Sequence, residues 1–529
     1  MAASNGNSKT SNGGMKRDRS KELIIPPRSS SNSSLQDIAT AHKALVSSLS
    51  IAGGTGGREN REFVHTIIRE LLKQLEFEFP STVSPRDVVW ASDDLCFVGC
   101  GIYTNYPGIR VGLNQDIWKS RRLAVVRDIF DRSPEHEFLE NVLSLVTDDV
   151  CVVHSCAFEF LNRRLVNEYI MESDGQYVLH RHDVDLIMYL HENGFRVIRG
   201  SDAKAIHSFS PSDIQTQQST NHCIMVAPTA FEQSVAEARK HGFLKSHPEL
   251  EARDDNELFH TALREFAGLH ALVLSEAKVQ VHLFSSDENN TPDAVFPNNW
   301  FSTHTNLEVG ECTLVLYPLH DPQRRKERRP DFISRLKAFR RYTHVFDLTH
   351  QERDAQPGFL EGTGSLVLDR VNHIAYVALS ERAHLSVAER WANVMGYELI
   401  VFKAWDKEGR HVNHTDEMLF VGTSVAVVCD EAVHDPMERS ALMKRLSQRH
   451  DVVQINKEQM ASFCGAIIEL EDWATRPVIL MSDTAYNAFT LEQREKLEQH
   501  APGGILHSDI RTIEVVGGGS VRALIAELF

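Results

Sequence analysis

Val516-Gly517-Gly518-Gly519-Ser520-Val521-Arg522-Ala523-Leu524-Ile525-Ala526-Glu527 stands just before the C-terminus. The run Thr512 to Val516 ahead of it is rich in β-branched residues, which predicts a strand. Three glycines then predict a tight bend with bare backbone, where a ligand or a neighbouring segment approaches closely. Past the bend come Arg522 and Ala523, a cation followed by a methyl group.

Working upstream, residues 219–529 carry short apolar runs between helical patterns. Strands are predicted at Cys223 to Val226, Val279 to Phe284, Cys312 to Tyr317, Ser365 to Leu368, Ile374 to Leu379, Glu398 to Phe402, Ser424 to Cys429, Val452 to Ile455, Ala466 to Leu470 and Val478 to Met481. Helix ends are marked too. Ser386 to Glu389 and Thr490 to Gln493 read as capping boxes, and Gly396 lies where the first of those helices stops. Asp435-Pro436 places a cap residue before a proline at the first helical position. Strands of about five residues alternating with helices give an α/β class. Periodicity alone leaves open whether the sheet is doubly wound or a propeller of small α/β units. No GxGxxG and no GxxxxGK[ST] occurs, so no nucleotide cofactor is expected.

Residues 58–215 read as another α/β region. A helix is predicted at Glu62 to Glu76, with strands at Asp87 to Trp90, Leu95 to Val98, Ile109 to Leu113 and Val150 to Val153. The polar stretch 211–220 reads as the linker between the regions. Residues 1–55, rich in Ser, Asn, Gly and Lys, offer little to bury and read as a disordered tail. The Lys16-Arg17-Asp18-Arg19 cluster within it reads as a solvated face rather than an address signal.

A chain of 529 residues with 42% hydrophobic and 24% charged residues is ordinary globular protein. A net charge of −17 opposes sequence-independent binding to nucleic acid, which needs a basic face. Eight cysteines without a CxxC pair make no disulfide framework and fit a reducing compartment. No apolar run approaches 18 residues, and the N-terminus lacks the apolar stretch of a secretory signal. No membrane contact and a cytoplasmic location are the expectations.

Four segments place acidic, amide, imidazole or basic groups beside glycine, proline or aromatic residues. They are Pro292 to Trp300, Phe359 to Ser365, His414 to Met418 and the terminal glycine bend. Such groups in turns at strand ends are where α/β proteins build sites. Each has a plain reading as well. Asp293 beside a proline is a common turn residue, Glu361-Gly362 can open a hairpin, and a lone His414 is often structural. His180-Arg181-His182-Asp183 offers two imidazoles and a carboxylate, but no further ligand spacing accompanies it, so no metal site is assigned.

Taken together, and in this order, the segments resemble the amidinotransferase-like family of guanidine-modifying enzymes. Within it they are most similar to the branch of arginine deiminase and citrulline hydrolase. The resemblance rests on PDAVFPNNWFSTH at 292–304, VLYPL with QRRKERR at 315–329, FLEGTGSLVLDR at 359–370, HTDEMLFVG at 414–422 and GGGSVR at 517–522. It implies the pentein fold, a five-bladed α/β propeller of ββαβ-like units with the site at its centre. It implies a small guanidino or ureido ligand and no cofactor. A guanidinium is a planar cation matched by carboxylates. By resemblance, Asp293 and Glu361 grip it from opposite sides, and Asn299 stands where relatives carry an acidic or amide group. His414 is the general acid and base, and Asp416 orients it or meets a substrate nitrogen. Arg325 and Arg328 are candidates for a substrate carboxylate, with a surface cluster as the plain alternative. Arg522 completes the terminal motif. A homo-oligomer is compatible with the family.

One position breaks the pattern. The family's nucleophile is a cysteine that follows the glycine bend and attacks the central carbon of the substrate. Here that position is Ala523, which cannot form the intermediate. Ala466, where relatives carry asparagine, is a second departure. Cys464 is the one thiol inside a matching motif, and its plain reading is a small buried apolar residue. Two functional readings stay open. One is a C–N hydrolase for arginine-like or citrulline-like molecules; the other is an inactive pentein that binds such a ligand or regulates a partner. The first region extends the theme more loosely. Asp93 to Asn105 resembles the strand and turn after the family's acidic motif, and Val153 to Phe158 its His motif, so residues 58–215 are either a degenerate pentein-like unit or an unrelated α/β cap.

Overall fold

The computed structural model describes residues 81–529, apart from 102, 129–135, 137, 159–162, 202–207, 210–215, 242, 287–290, 307–310, 341 and 343. The expected tail 1–55, the basic cluster at 16–19 and the helix expected at 62–76 lie outside the described residues, as does part of the 211–220 linker.

The chain divides into two compact units. The first contains residues 81–148, 152–186 and 200–207. The second contains 149–151, 187–199 and 208–529.

In the first unit, β1 (Val88–Trp90) pairs antiparallel with β2 (Leu95–Cys100). Helix α1 (Tyr106–Gln115) then returns the chain to β3 (Arg122–Asp128), parallel to β2. Ile109 to Leu113 is therefore helical, not the expected strand. Asn105 accepts a hydrogen bond from Gly108 N–H and Pro107 occupies the first turn, and these start signals outweigh the β-branched residues. β4 (Arg164–Met171) and β5 (Tyr177–Asp185) continue the sheet in antiparallel fashion. Val150–His154 is a strand, of which residues 152–154 belong to this unit.

The second unit repeats one pattern five times. A short turn leads into an antiparallel strand pair, and a helix carries the chain to a third strand, parallel to the second. β8 (Phe301–Asn306), β9 (Glu311–Leu316) and β10 (His344–Asp347) form one such sheet, with α4 (Pro330–Arg340) as the crossover. β11 (Val367–Asp369), β12 (Ile374–Ala378) and β13 (Glu398–Phe402) follow with α5 (Leu385–Met395). β14 (Leu419–Val421), β15 (Val425–Val428) and β16 (Asp451–Gln454) use α6 (Pro436–Ser447). β17 (Ile468–Glu471), β18 (Pro477–Ser482) and β19 (Ile505–Ser508) use α7 (Leu491–His500). The fifth sheet joins distant segments. β20 (Ala526–Glu527) pairs antiparallel with β6 (His222–Ala227). β6 in turn pairs parallel with β7 (Gln280–Ser285), across α2 (Glu232–His241) and α3 (Asp255–Ala271).

β11, β14, β17 and β20 all contribute to the lining of one central cavity. β8 reaches the same circle through Thr303 Oγ1, which donates to Glu527 O at 3.1 Å. Five modules around a shared cavity are the five-bladed α/β propeller that the resemblance implies. The strands are short because each needs to span only one blade. The apolar ones have both faces covered, as the fully buried Val425 to Val428 illustrates.

The run Thr512 to Val516 is not a strand. It lies within α8 (Arg511–Gly517), where the Glu265 carboxylate accepts from the N–H groups of Thr512 and Ile513 at 3.0 and 3.1 Å. Gly518 closes this helix at φ +76°. The capping boxes divide. Thr490 and Gln493 cap α7 reciprocally, and Asp435 caps α6, as expected. Ser386 instead lies inside α5, whose cap position is His384. Gly396 ends that helix at φ +73°. Residues 362–365 form a helical turn, so the strand expected from Ser365 begins at Val367. Among the described residues, no helix is long and apolar enough to cross a membrane.

Candidate functional site

The repeat decides where the polar segments go. In every module the turn before the first strand sits at the same end of the blade. These turns are Pro297–Asn299, Gly362–Ser365, Thr415–Glu417, residues 463–466 and Val521–Leu524. The 362–365 turn packs against both 297–299 and 415–417, and 521–524 packs against 297–299. The glycine bend is close-packed as predicted: a Cβ on Gly517 or Gly519 would lie 2.8 or 2.7 Å from the Phe296 ring.

Glu361 stands at the centre with no exposed surface. Its Oε2 accepts from His414 Nε2 at 2.7 Å and from Arg382 Nη1 at 3.2 Å. Its Oε1 accepts from His320 N–H at 3.0 Å. Burial pushes this carboxyl up, but the His414 hydrogen bond and the charges of His414, Arg324 and Arg382 outweigh it and hold Glu361 well below the usual carboxylate range. Burial pushes His414 down, and the Glu361 hydrogen bond and charge more than reverse that, so the imidazole keeps its proton above its ordinary range. Both shifts favour the charged forms, carboxylate and imidazolium, over the neutral ones.

Asp416 is buried. Desolvation raises its pKa to about 6, against the lowering effect of His414 and Arg522. Asn298 Nδ2 donates to its Oδ2 at 3.2 Å. Asn298 Oδ1 is buried without a partner. Asn299 and His414 are brought together by a missing side chain: a Cβ on Gly364 would lie 2.3 Å from Asn299 Oδ1 and 3.3 Å from His414 Cδ2. Thr415 ties two blades, donating to Ser365 O at 2.6 Å and accepting from Ala378 N–H at 2.8 Å.

Asp293 lies beside a buried ion pair. Arg324 holds Glu327 through two bonds, Nε to Oε1 at 2.9 Å and Nη2 to Oε2 at 3.1 Å. Nη2 also donates to the Asp293 carbonyl at 3.3 Å. The charges of Asp293 and Glu361 both act on Arg324. Arg325 and Arg328 are engaged within the protein. Arg325 donates to the carbonyls of Leu319 and His320, and Arg328 holds the Glu352 carboxylate bidentately and donates to Tyr317 O. Arg522 pairs with Glu527 at 2.9 Å, and its backbone N–H donates to Ala466 O at 3.2 Å. Ala523 follows on the turn that meets 297–299. Cys464 is buried, donates to Ala485 O at 3.6 Å, and burial pushes its thiol up to about 12. It is a packed thiol, not an activated one.

Arg382, the Arg324–Glu327 pair and Asn298 are thus parts of this constellation to which no role was assigned from sequence. Asn298 and Arg324 lay inside quoted motifs without a signal of their own. Arg382 comes from the loop between β12 and α5, which no pattern distinguished.

The two histidine-rich clusters differ in geometry. His180 and His182 are exposed on β5, and Asp183 pairs with Arg127. His136, His154 and Cys156 bring their ligand atoms within 4.8 Å in the first unit. There Cys156 N–H donates to His154 Nδ1 at 3.1 Å, which leaves the ring proton on Nε2, facing His136 Nε2 at 3.2 Å. The two imidazoles thus face one another at hydrogen-bond distance beside the Cys156 thiol, a group that could hold a metal ion.

The chain is similar to several solved structures. The substrate-bound N-terminal domain of ArgZ, an arginine dihydrolase from the ornithine–ammonia cycle in cyanobacteria, is 16% identical, with a TM-score of 0.43 over 58% of this chain and 98% of that one. An AgrE variant in complex with L-arginine is 16% identical, with a TM-score of 0.43 over 58% and 40%. A dimethylarginine dimethylaminohydrolase adduct with 4-chloro-2-hydroxymethylpyridine is 17% identical, with a TM-score of 0.39 over 58% and 98%. No curated protein sequence matches the chain. The family model N,N dimethylarginine dimethylhydrolase, eukaryotic, matches residues 227–529, more than half of the chain, and the protein belongs to that family.

Proposed function

We propose that this protein binds a small amino acid bearing a guanidino or ureido group at the turns 297–299, 361–365 and 414–417, without the covalent hydrolysis of its family. The observation that carries this reading is the Glu361–His414 pair, set at 2.7 Å, beside a turn whose nucleophile position is Ala523. The contacts among Glu361, His414, Asn298 and Asp416 support a polar site at these turns. A methyl group cannot attack carbon, and Cys464 is turned to a backbone carbonyl. Asp293, Asp416, Asn298 and Asn299 supply acceptors for ligand N–H groups, and His414 supplies a proton donor. All eight cysteines are free, which fits the reducing cytoplasm. In the first unit, β1, β2 and β3 around α1 repeat the blade pattern, which supports a pentein-like origin for residues 58–215.

Hydrolytic turnover is the second reading, favoured by the protonated His414 poised for a departing nitrogen. Isothermal calorimetry with L-arginine, N,N-dimethylarginine and L-citrulline, run beside an ammonia and methylamine release assay, separates the two. Saturable binding without product is expected. Release faster than that of a His414→Ala variant refutes the binding-only reading, and absence of binding refutes the site. Ala523→Cys restores the missing sulfur. Product release by that variant alone locates the loss of activity at this one atom.

A further inference from the structure

Glu361 is the carboxylate expected to grip a guanidinium, yet three of its roughly four lone-pair sites are taken within the protein. His414 Nε2 and Arg382 Nη1 share Oε2, and His320 N–H holds Oε1. One of these donors is itself a guanidinium. Arg382 stands on Glu361 where a ligand's cation would stand. Its position is fixed by its backbone: Arg382 O accepts from Glu361 N–H at 3.1 Å and from Ser365 Oγ at 3.2 Å, and its N–H donates to Ser380 Oγ at 3.2 Å. The loop therefore travels with the 361–365 turn. Arg382 Nε is buried with no partner.

From this geometry we infer that Arg382 is a specificity-determining residue, which makes the site prefer a neutral ureido group to a guanidinium. The inference rests on the binding function proposed above. A guanidinium that takes both oxygens of Glu361 has to displace one cation from Oε2, and in any pose it sits beside Arg382, His414 and Arg324. A ureido group brings no charge. It also offers what a guanidinium lacks, a carbonyl oxygen that accepts from the unpartnered Nε–H of the Arg382 fork. The N–H groups common to both ligands are served alike by Asp416 and Asn298, so those residues do not discriminate. Leaving a buried donor without a partner disfavours the ligand that cannot reach it.

The test is calorimetry on the full chain with L-citrulline and L-arginine as probes, for the wild type, Arg382→Met and Arg382→Lys, with thermal melts to verify folding. The expected wild-type result is at least about a tenfold preference for citrulline, the factor of one well-formed polar contact. In Arg382→Met that preference falls to near unity or reverses. In Arg382→Lys, which keeps the charge and loses the fork, it is intermediate. Arginine binding to the wild type as tightly as citrulline overturns the assignment while leaving the binding function intact. So does an unchanged ratio in a folded Arg382→Met. If Arg382→Met does not fold, the wild-type ratio and Arg382→Lys decide. Failure of both probes to bind removes the binding function, and this inference with it.

Discussion

Gly362→Ala is the sharpest probe of how the blades meet. Gly362 has φ +47°, a left-handed conformation that costs a side-chain-bearing residue about 1–2 kcal/mol. Its Cβ would also fall 2.2 Å from Asn298 O and 2.8 Å from the carbonyl carbon and oxygen of Asn299. These are backbone atoms, so relief requires moving the whole 297–299 turn. Overpacking of that kind adds about 1–3 kcal/mol, for a total near 2–5 kcal/mol. At roughly 2 °C per kcal/mol for a unit of this size, the melting midpoint should fall by about 4–10 °C. Gly396→Ala is the control. Gly396 has φ +73° with nothing within 4 Å of its Cβ, so only the conformational cost remains, about 2–4 °C. Differential scanning fluorimetry on both variants measures the difference, and calorimetry should show weakened ligand binding for Gly362→Ala alone. Equal melting shifts would refute the packing of the first two site turns on one another.

Other outcomes follow from the same geometry. The Glu361–His414 pair stabilises the fold fully only where both groups are charged in both states. A lowered carboxyl contributes above about pH 4.5 and a raised imidazole below about pH 6.5. The urea midpoint of His414→Gln should therefore differ most from the wild type near pH 5–6, and the gap should shrink towards pH 9. Arg324→Met strands Glu327, whose burial already lifts its pKa to about 7. The loss of about 3–5 kcal/mol at pH 8 should be partly recovered at pH 5.5, where Glu327 is neutral, as chemical denaturation at the two pH values will show. Cys464 should resist thiol reagents in the native state, and Cys464→Ala should leave ligand affinity unchanged. A loss of binding in that variant would reinstate it as part of the site.

The blades were legible where both faces of a strand are covered. Ile374 to Leu379 and, after Ser424, Val425 to Cys429 are unbroken apolar runs, and both hold strands. Phe301–Asn306 escaped notice because its Ser, Thr and His side chains are polar, although most are buried and satisfied, as Ser302 Oγ is by Tyr317. Residues 512–516 misled in the opposite direction, since β propensity lost to a carboxylate that arrives from 247 positions away. The site followed the same division. Glu361, His414 and Asp416 sit in turns with a visible motif. Arg382 does not, because nothing local marks a loop arginine whose importance lies in the carboxylate it meets across 21 residues.

The fifth sheet gives the propeller an assembly order. Its central strand and one outer strand come from 222–285, but the other outer strand, which completes it, is 526–527, some three hundred residues later. Leu528 N–H bonds His222 O at 2.9 Å, and Thr303 accepts from Phe529 N–H at the same distance. Residues 526–529 thus act as a latch. Until they dock, β6 keeps an open edge, and Ala523, only three positions before the latch, has no fixed place. Circle and cavity are finished in a single step, the most non-local contact of the unit and the slowest to find. A circular permutant joining 529 to 219, with new ends in the exposed turn at Gly409, should shorten that search while keeping the same cavity.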